Sequence, residues 1–173
     1  MHARIAIVVA AALALGCDSG LRPEYPAGYC ASGICGTIRF VGALPDSTDY
    51  VRVVVYADVP TSVGGLVAFA GFSDPLPLHA DSAHYTCCIT PLAAGTYRWV
   101  LVVWKKVGVL SPLNAVDLLR EAGSYLDPSD STQFGAVVVP AAGGAGDVDI
   151  VADYGQLHSI SDYFPPAAAA GHR

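Results

Sequence analysis

Residues 92–106, LAAGTYRWVLVVWKK, limit what this chain can fold into more than any other stretch. From Tyr97 onward two apolar sets alternate: Tyr97, Trp99, Leu101 and Val103 on one side, Arg98, Val100, Val102 and Trp104 on the other. Successive side chains of a strand point to opposite faces, so this is a strand without a clean polar side. Such strands are covered on both faces. The expectation is a central strand with something lying over Val100, Val102 and Trp104. The cover is either a helix of the same chain or a partner, which makes these three residues the candidate interaction face.

Similar alternation recurs along the 173 residues. GTIRFVGALP (36–45) sets Ile38 and Phe40 against Thr37 and Arg39. YVRVVVYADVP (50–60) places Val51, Val53, Val55 and Ala57 on one face and Tyr50, Arg52, Val54 and Tyr56 on the other. AHYTCCI (83–89) sets Tyr85, Cys87 and Ile89 against His84, Thr86 and Cys88. FGAVVVP (134–140) and DVDIVADYG (147–155) read as strands joined into a hairpin by AAGGAG, and 66–72 as a weaker edge segment. Residues 74–82 are excluded from a sheet centre because Pro75 and Pro77 lack ladder donors. The one helical stretch is 112–122: Ser111 and Pro112 suit a helix start, Leu113, Val116, Leu118 and Leu119 form a stripe, and Gly123 is a stop. Period-2 runs with turn residues between them predict a mostly β chain: a single antiparallel Greek-key β-sandwich of about seven strands with one short helix insertion.

The N-terminus reads as a targeting segment. His2 and Arg4 precede an unbroken apolar run, 5–15, which has the length of a signal h-region and is too short to span a bilayer. It ends in Ala14-Leu15-Gly16-Cys17, which resembles the lipobox of bacterial lipoprotein signal peptides. That resemblance implies cleavage after Gly16 and a lipid on Cys17; an ordinary secretory signal is the alternative, and either exports the chain. The expected organisation is a signal peptide at 1–16, lipidated Cys17 with a flexible tether to residue 33, a sandwich domain at 34–155 and a flexible tail at 156–173.

Four further cysteines, Cys30, Cys35, Cys87 and Cys88, would then lie in an oxidising compartment, where an even number favours disulfides. Neighbours on a strand point apart, so a Cys87–Cys88 bridge is strained, and the pattern that combines it with Cys30–Cys35 ranks low. The favoured pattern ties the Cys30–Cys35 segment to Cys87 or Cys88, closing a loop of about 50 residues and stabilising by a few kcal/mol. A four-thiolate zinc site is the rival, but the usual paired Cys-x2–4-Cys spacing is missing.

Three segments together resemble a carboxypeptidase regulatory-like or prealbumin-like (transthyretin-like) domain: GTIRFVG at 36–42, LAAGTYRWVLVVWK at 92–105, and VVVPAAGGAGDVDIVADY at 137–154. The most telling part is Leu92-x-x-Gly95-x-Tyr97, in which Gly95 permits a turn and Tyr97 packs at a sandwich corner with its hydroxyl on backbone. Ala93-Ala94 stands where that family often has Pro. The resemblance implies a seven-stranded sandwich of the kind found beside bacterial surface proteins. Transthyretin-like hydrolases close on Tyr-Arg-Gly-Ser where this chain has Ala170-Gly171-His172-Arg173, so their chemistry is not expected.

Catalytic signals are weak throughout. No Gly-x-Ser-x-Gly surrounds a serine, and His79, His84, His158 and His172 are scattered, with His84 near Cys88 read as a surface residue. Asp127 and Asp130 read as turn caps, and Asp147, Asp149 and Asp153 as solvent-facing strand positions, rather than as a calcium loop. The formal charge is −6 with no basic cluster, which excludes a nucleic-acid footprint. The reading is a non-enzymatic, lipid-anchored envelope module without cofactor or metal. Its partners are the membrane, through the anchor, and another envelope protein. The alternative is a carrier holding a small apolar ligand or a carbohydrate with Tyr and Trp side chains.

Overall fold

A computed structural model describes residues 29–87 and 92–164, and over that span the chain is mostly β. The strands are β1 (Gly33–Val41), β2 (Thr48–Tyr56), β3 (Gly71–Phe72), β4 (Ser82–Cys87), β5 (Gly95–Tyr97), β6 (Trp99–Lys106) and β7 (Leu119–Ser124). They continue with β8 (Leu126–Asp127), β9 (Asp130–Phe134), β10 (Val137–Val139), β11 (Gly144–Ala145), β12 (Ile150–Asp153) and β13 (His158–Ser159). One helical turn, α1 (Ala115–Leu118), and two 3-10 turns, Val63–Val67 and Ile160–Tyr163, complete the described elements.

Two sheets carry the fold. In the first, β1 is flanked by antiparallel β4 on one edge and by β11 and β12, both parallel to it, on the other. The second runs β13-β7-β6-β2-β3, antiparallel throughout. Small two-stranded ribbons, β5 with β10 and β8 with β9, extend the edges. The alternation read in the sequence fixes what lies between the sheets. Val51, Val53 and Val55 of β2 and Val100, Val102 and Trp104 of β6 meet Ile34 and Ile38 of β1, Tyr85 and Cys87 of β4, and Ile150 and Ala152 of β12. Full burial of each such aliphatic side chain stabilises by about 1.5–3 kcal/mol, which makes this layer the main core.

Several expectations are corrected. The expected strand through Tyr97 is two strands: β5 ends at Tyr97 on β10, and β6 begins at Trp99 between β2 and β7. Arg98 marks the switch, its amide on the Ala57 carbonyl at 3.0 Å and its guanidinium on Asp58 at 2.8 Å. The alternation slips there, so Tyr97 lies in the inter-sheet core with Val100, Val102 and Trp104, whereas Trp99, Leu101 and Val103 face outward. The candidate interaction face is therefore covered, not by a helix or a partner but by the first sheet.

The helix expected over 112–122 is one turn, and Leu119–Ser124 is strand β7 instead. The backbone groups along that edge of β6 need partners, and meeting this requirement outweighs a weak local helix propensity. Gly123, read as a helix stop, lies in β7 where an added Cβ would overlap the Val151 carbonyl. Only glycine lets the two sheets approach there.

The hairpin expected across 141–146 does not form. β11 and β12 run along β1 in parallel, so the arrangement is not wholly antiparallel. Residues 158–164, expected in the tail, are packed: Ile160 is buried and Tyr163 stacks edge-on against Trp99 with ring centroids 5.4 Å apart.

The disulfide also differs from expectation. Gly33 at φ +71° folds the segment back, and Cys30 bonds Cys35 across a Cα separation of 5.6 Å. That bond leaves neither Cys30 nor Cys35 for the favoured link to Cys87 or Cys88, and register separately excludes Cys35 with Cys87. Ile34 pairs with Cys87, both facing the core, so Cys35 lies on the opposite face of the sheet. Cys17 and Cys88 lie outside the described residues.

Candidate functional site

The outer face of the second sheet is covered differently from its inner face. A smaller aromatic cluster forms there, with Trp99, Leu101, Val103 and Tyr56 packed under Leu66 from the first 3-10 turn, Ala115 from α1 and Ile160 from the second 3-10 turn. These covers meet incompletely. Between them lies a cleft of about 490 Å³. Its floor is the outer face of β2, Tyr50, Arg52, Val54 and Tyr56, because every second residue of YVRVVVY points that way. Leu66, Val67, Phe69 and Phe72 form one wall, and Leu110, Pro112 and Ala115 the other.

The rim is apolar and exposed. Val67 is 63% exposed and Phe69 43%, and on the opposite wall Leu110 is 42% exposed. Single exposed apolar side chains are ordinary on a surface, but a group gathered around one concavity marks an interaction site.

The polar groups in the cleft are few and placed. Arg52 donates from Nη1 to the Ser73 carbonyl at 3.0 Å, and its guanidinium carbon lies 5.1 Å from the Tyr50 ring centroid and 5.2 Å from that of Phe72. Its Nε is buried and meets no acceptor among the described residues. Ser73 is held in turn: its hydroxyl accepts from the Val53 amide at 3.0 Å and donates to the Asp74 carbonyl at 2.7 Å. Tyr56 donates to the Leu66 carbonyl at 2.8 Å, fastening the first 3-10 turn to the sheet, and burial pushes its phenol up to about 12. Lys105, near Tyr50, is fully satisfied by Asp49 at 2.5 Å and the Gly108 and Lys106 carbonyls at 2.7 and 3.1 Å.

A second concavity, about 530 Å³, is acidic, with Glu121, Asp127, Asp149 and Asp153 around it and His158 at its edge. Glu121 is buried, yet it accepts from Ser124 at 3.0 Å and from Tyr163 at 2.9 Å, and burial together with this carboxylate holds the Tyr163 phenol well above its usual value. The glutamate is thus fully engaged in structure.

Asp127 and Asp130 cap turns, as the sequence suggests: each carboxylate accepts from both the hydroxyl and the amide two residues on, Ser129 and Thr132 respectively. Those bonds hold both carboxyls below the usual range. His84 Nδ1 lies 3.1 Å from the Thr37 hydroxyl on the exposed side of β1 and β4. Among the described residues no three His, Cys, Asp or Glu side chains are grouped to hold a metal, and no helix is long and apolar enough to cross a membrane.

Of the residues singled out from sequence, Tyr97 donates from its hydroxyl to the Ala93 carbonyl at 2.7 Å. Gly95 is in extended strand with open space where a Cβ would lie, so the turn does not require glycine there. Sequence reasoning placed Tyr50, Arg52, Val54 and Tyr56 on one face but did not single out that face as a site. An arginine at the centre of an otherwise apolar and aromatic face was the available signal. No protein-family model, no curated protein and no solved structure matches this chain.

Proposed function

We propose that this chain is a non-enzymatic β-sandwich module of the cell envelope, exported and lipid-anchored at Cys17, whose work is binding at the cleft on the outer face of β2. One observation carries the binding role: an apolar concavity of about 490 Å³ whose rim keeps Val67, Phe69 and Leu110 in solvent. Its volume lies in the range of small-molecule sites, about 300–1,000 Å³, which favours the carrier reading over a flat protein-docking surface. The likeness to a carboxypeptidase regulatory-like sandwich belongs to the same proposal and is supported by the Tyr97 hydroxyl on the Ala93 carbonyl.

The binding role is tested with a neutral solvatochromic dye, Nile red. Saturable fluorescence enhancement by the full chain, lost in Phe69→Glu and Leu110→Asp, is the expected result; unsaturable or absent enhancement overturns it. The anchor is tested separately by labelling cells with an alkynyl fatty acid. Label on the native chain and none on Cys17→Ala is expected, and an unlabelled native chain ends the anchor proposal.

A further inference from the structure

Resting on that binding role, we infer that the cleft takes an acyl chain with a single carboxylate head, the chain lying along Val54, Tyr56 and Val103 and the head at Arg52. The inference starts from charge. Two cations beside the second sheet have carboxylate partners, Arg98 with Asp58 and Lys105 with Asp49. Arg52 has none among the described residues: one carbonyl takes Nη1, two aromatic rings flank the guanidinium, and Nε lacks an acceptor. A cation in an apolar wall without a counter-ion raises the energy of the empty cleft, and the flanking rings offset only part of that cost.

An anionic head entering the cleft supplies the missing charge, and in surroundings of low dielectric the attraction is far stronger than in water. A carboxylate fits better than a phosphate because one negative charge matches one guanidinium; a doubly charged head would leave net charge against Tyr56 and Val103. The apolar remainder of the cleft suits methylenes, each contributing about as much on burial as in a protein core. A carbohydrate fits poorly, since few polar groups line the walls to receive its hydroxyls.

The test is calorimetric titration of the full chain with monomeric dodecanoate and with dodecan-1-ol, on the native chain, Arg52→Met, Arg52→Lys and Arg98→Met. The native chain should bind one dodecanoate at least about tenfold more tightly than the alcohol, the size expected of one charge-assisted contact. Arg52→Met should erase that preference and leave the alcohol affinity in place, Arg52→Lys should keep part of it, and Arg98→Met should change neither. Equal affinity of the native chain for acid and alcohol overturns the carboxylate assignment while leaving an apolar binding cleft intact. An undiminished preference in Arg52→Met overturns Arg52 as the head site. Failure of both ligands to bind overturns the inference, and the Nile red titration then decides whether the binding role falls with it. Should Arg52→Met not fold, the native acid-to-alcohol ratio and Arg52→Lys still decide.

Discussion

The two faces of β6 face opposite kinds of cover. Val100, Val102 and Trp104 meet the first sheet, whose strands are tied to each other by ladders along their length. Trp99, Leu101 and Val103 meet single turns delivered by three separate segments. A sheet seals a face because its side chains are spaced to fit the opposing pleats. Isolated turns seal only the spots they touch. The inner face is consequently the stable core, and the outer face is where a gap, the cleft, is left over.

That contrast can be broken most severely from the inside. Val102→Asp puts an unpaired charge between the sheets, and a loss above about 4 kcal/mol is expected; the variant should lack a cooperative thermal transition by circular dichroism. Retention of a native transition would mean that the inner face opens as easily as the outer.

Trp99→Ala attacks the outer face and should cost about 3–5 kcal/mol in urea unfolding. Trp99→Phe should cost much less, because the buried indole N–H of Trp99 has no acceptor among the described residues and phenylalanine removes that unpaired donor. In hydrogen exchange, Trp99→Ala should deprotect the second 3-10 turn before the strands of the first sheet. Uniform deprotection would erase the distinction between the two faces.

Alkaline pH provides a milder probe of the outer cover. Tyr56 is held up to about 12 in the folded chain, against an ordinary value of 10.0. Above pH 10 this side chain releases a proton in the unfolded chain and retains it in the folded one, so the Tyr56 contribution, full below pH 10, falls as pH rises, by about 1.4 kcal/mol per pH unit and by about 2–3 kcal/mol at pH 12. Tyr56→Phe should make this part of the pH profile, measured by denaturant midpoint, shallower by that amount, the buried Tyr85, Tyr154 and Tyr163 supplying the decline that is left. The smallest effect is expected at the sheet switch: Tyr97→Phe loses the donor to Ala93 and should cost about 0.5–1.5 kcal/mol.

The strands most legible in the sequence were those with one buried face. Val51, Val53 and Val55, and Tyr85 with Cys87, sit inward as their spacing requires, and Tyr50, Arg52, Val54 and Tyr56 share the cleft floor for the same reason. What could not be read was set by contacts distant in the chain. Leu119–Ser124 has the local look of a helix end and becomes a strand because β6 has an open edge. The slip at Arg98 depends on Ala57 and Asp58, some 40 residues earlier. The cleft itself is a gap between segments, and a gap has no pattern of its own; only its lone arginine was visible.

The parallel pairing of β1 with β12 has a consequence for timing. Ile38, Arg39, Phe40 and Val41 find their partners at Ile150, Val151, Ala152 and Asp153, more than a hundred residues later. A chain synthesised from its N-terminus holds β1 with one edge unfilled until β11 and β12 have emerged. Contacts of such long range make folding slow to begin and late to finish. Commitment to this sheet is thereby deferred until β12 is available, more than a hundred residues after β1.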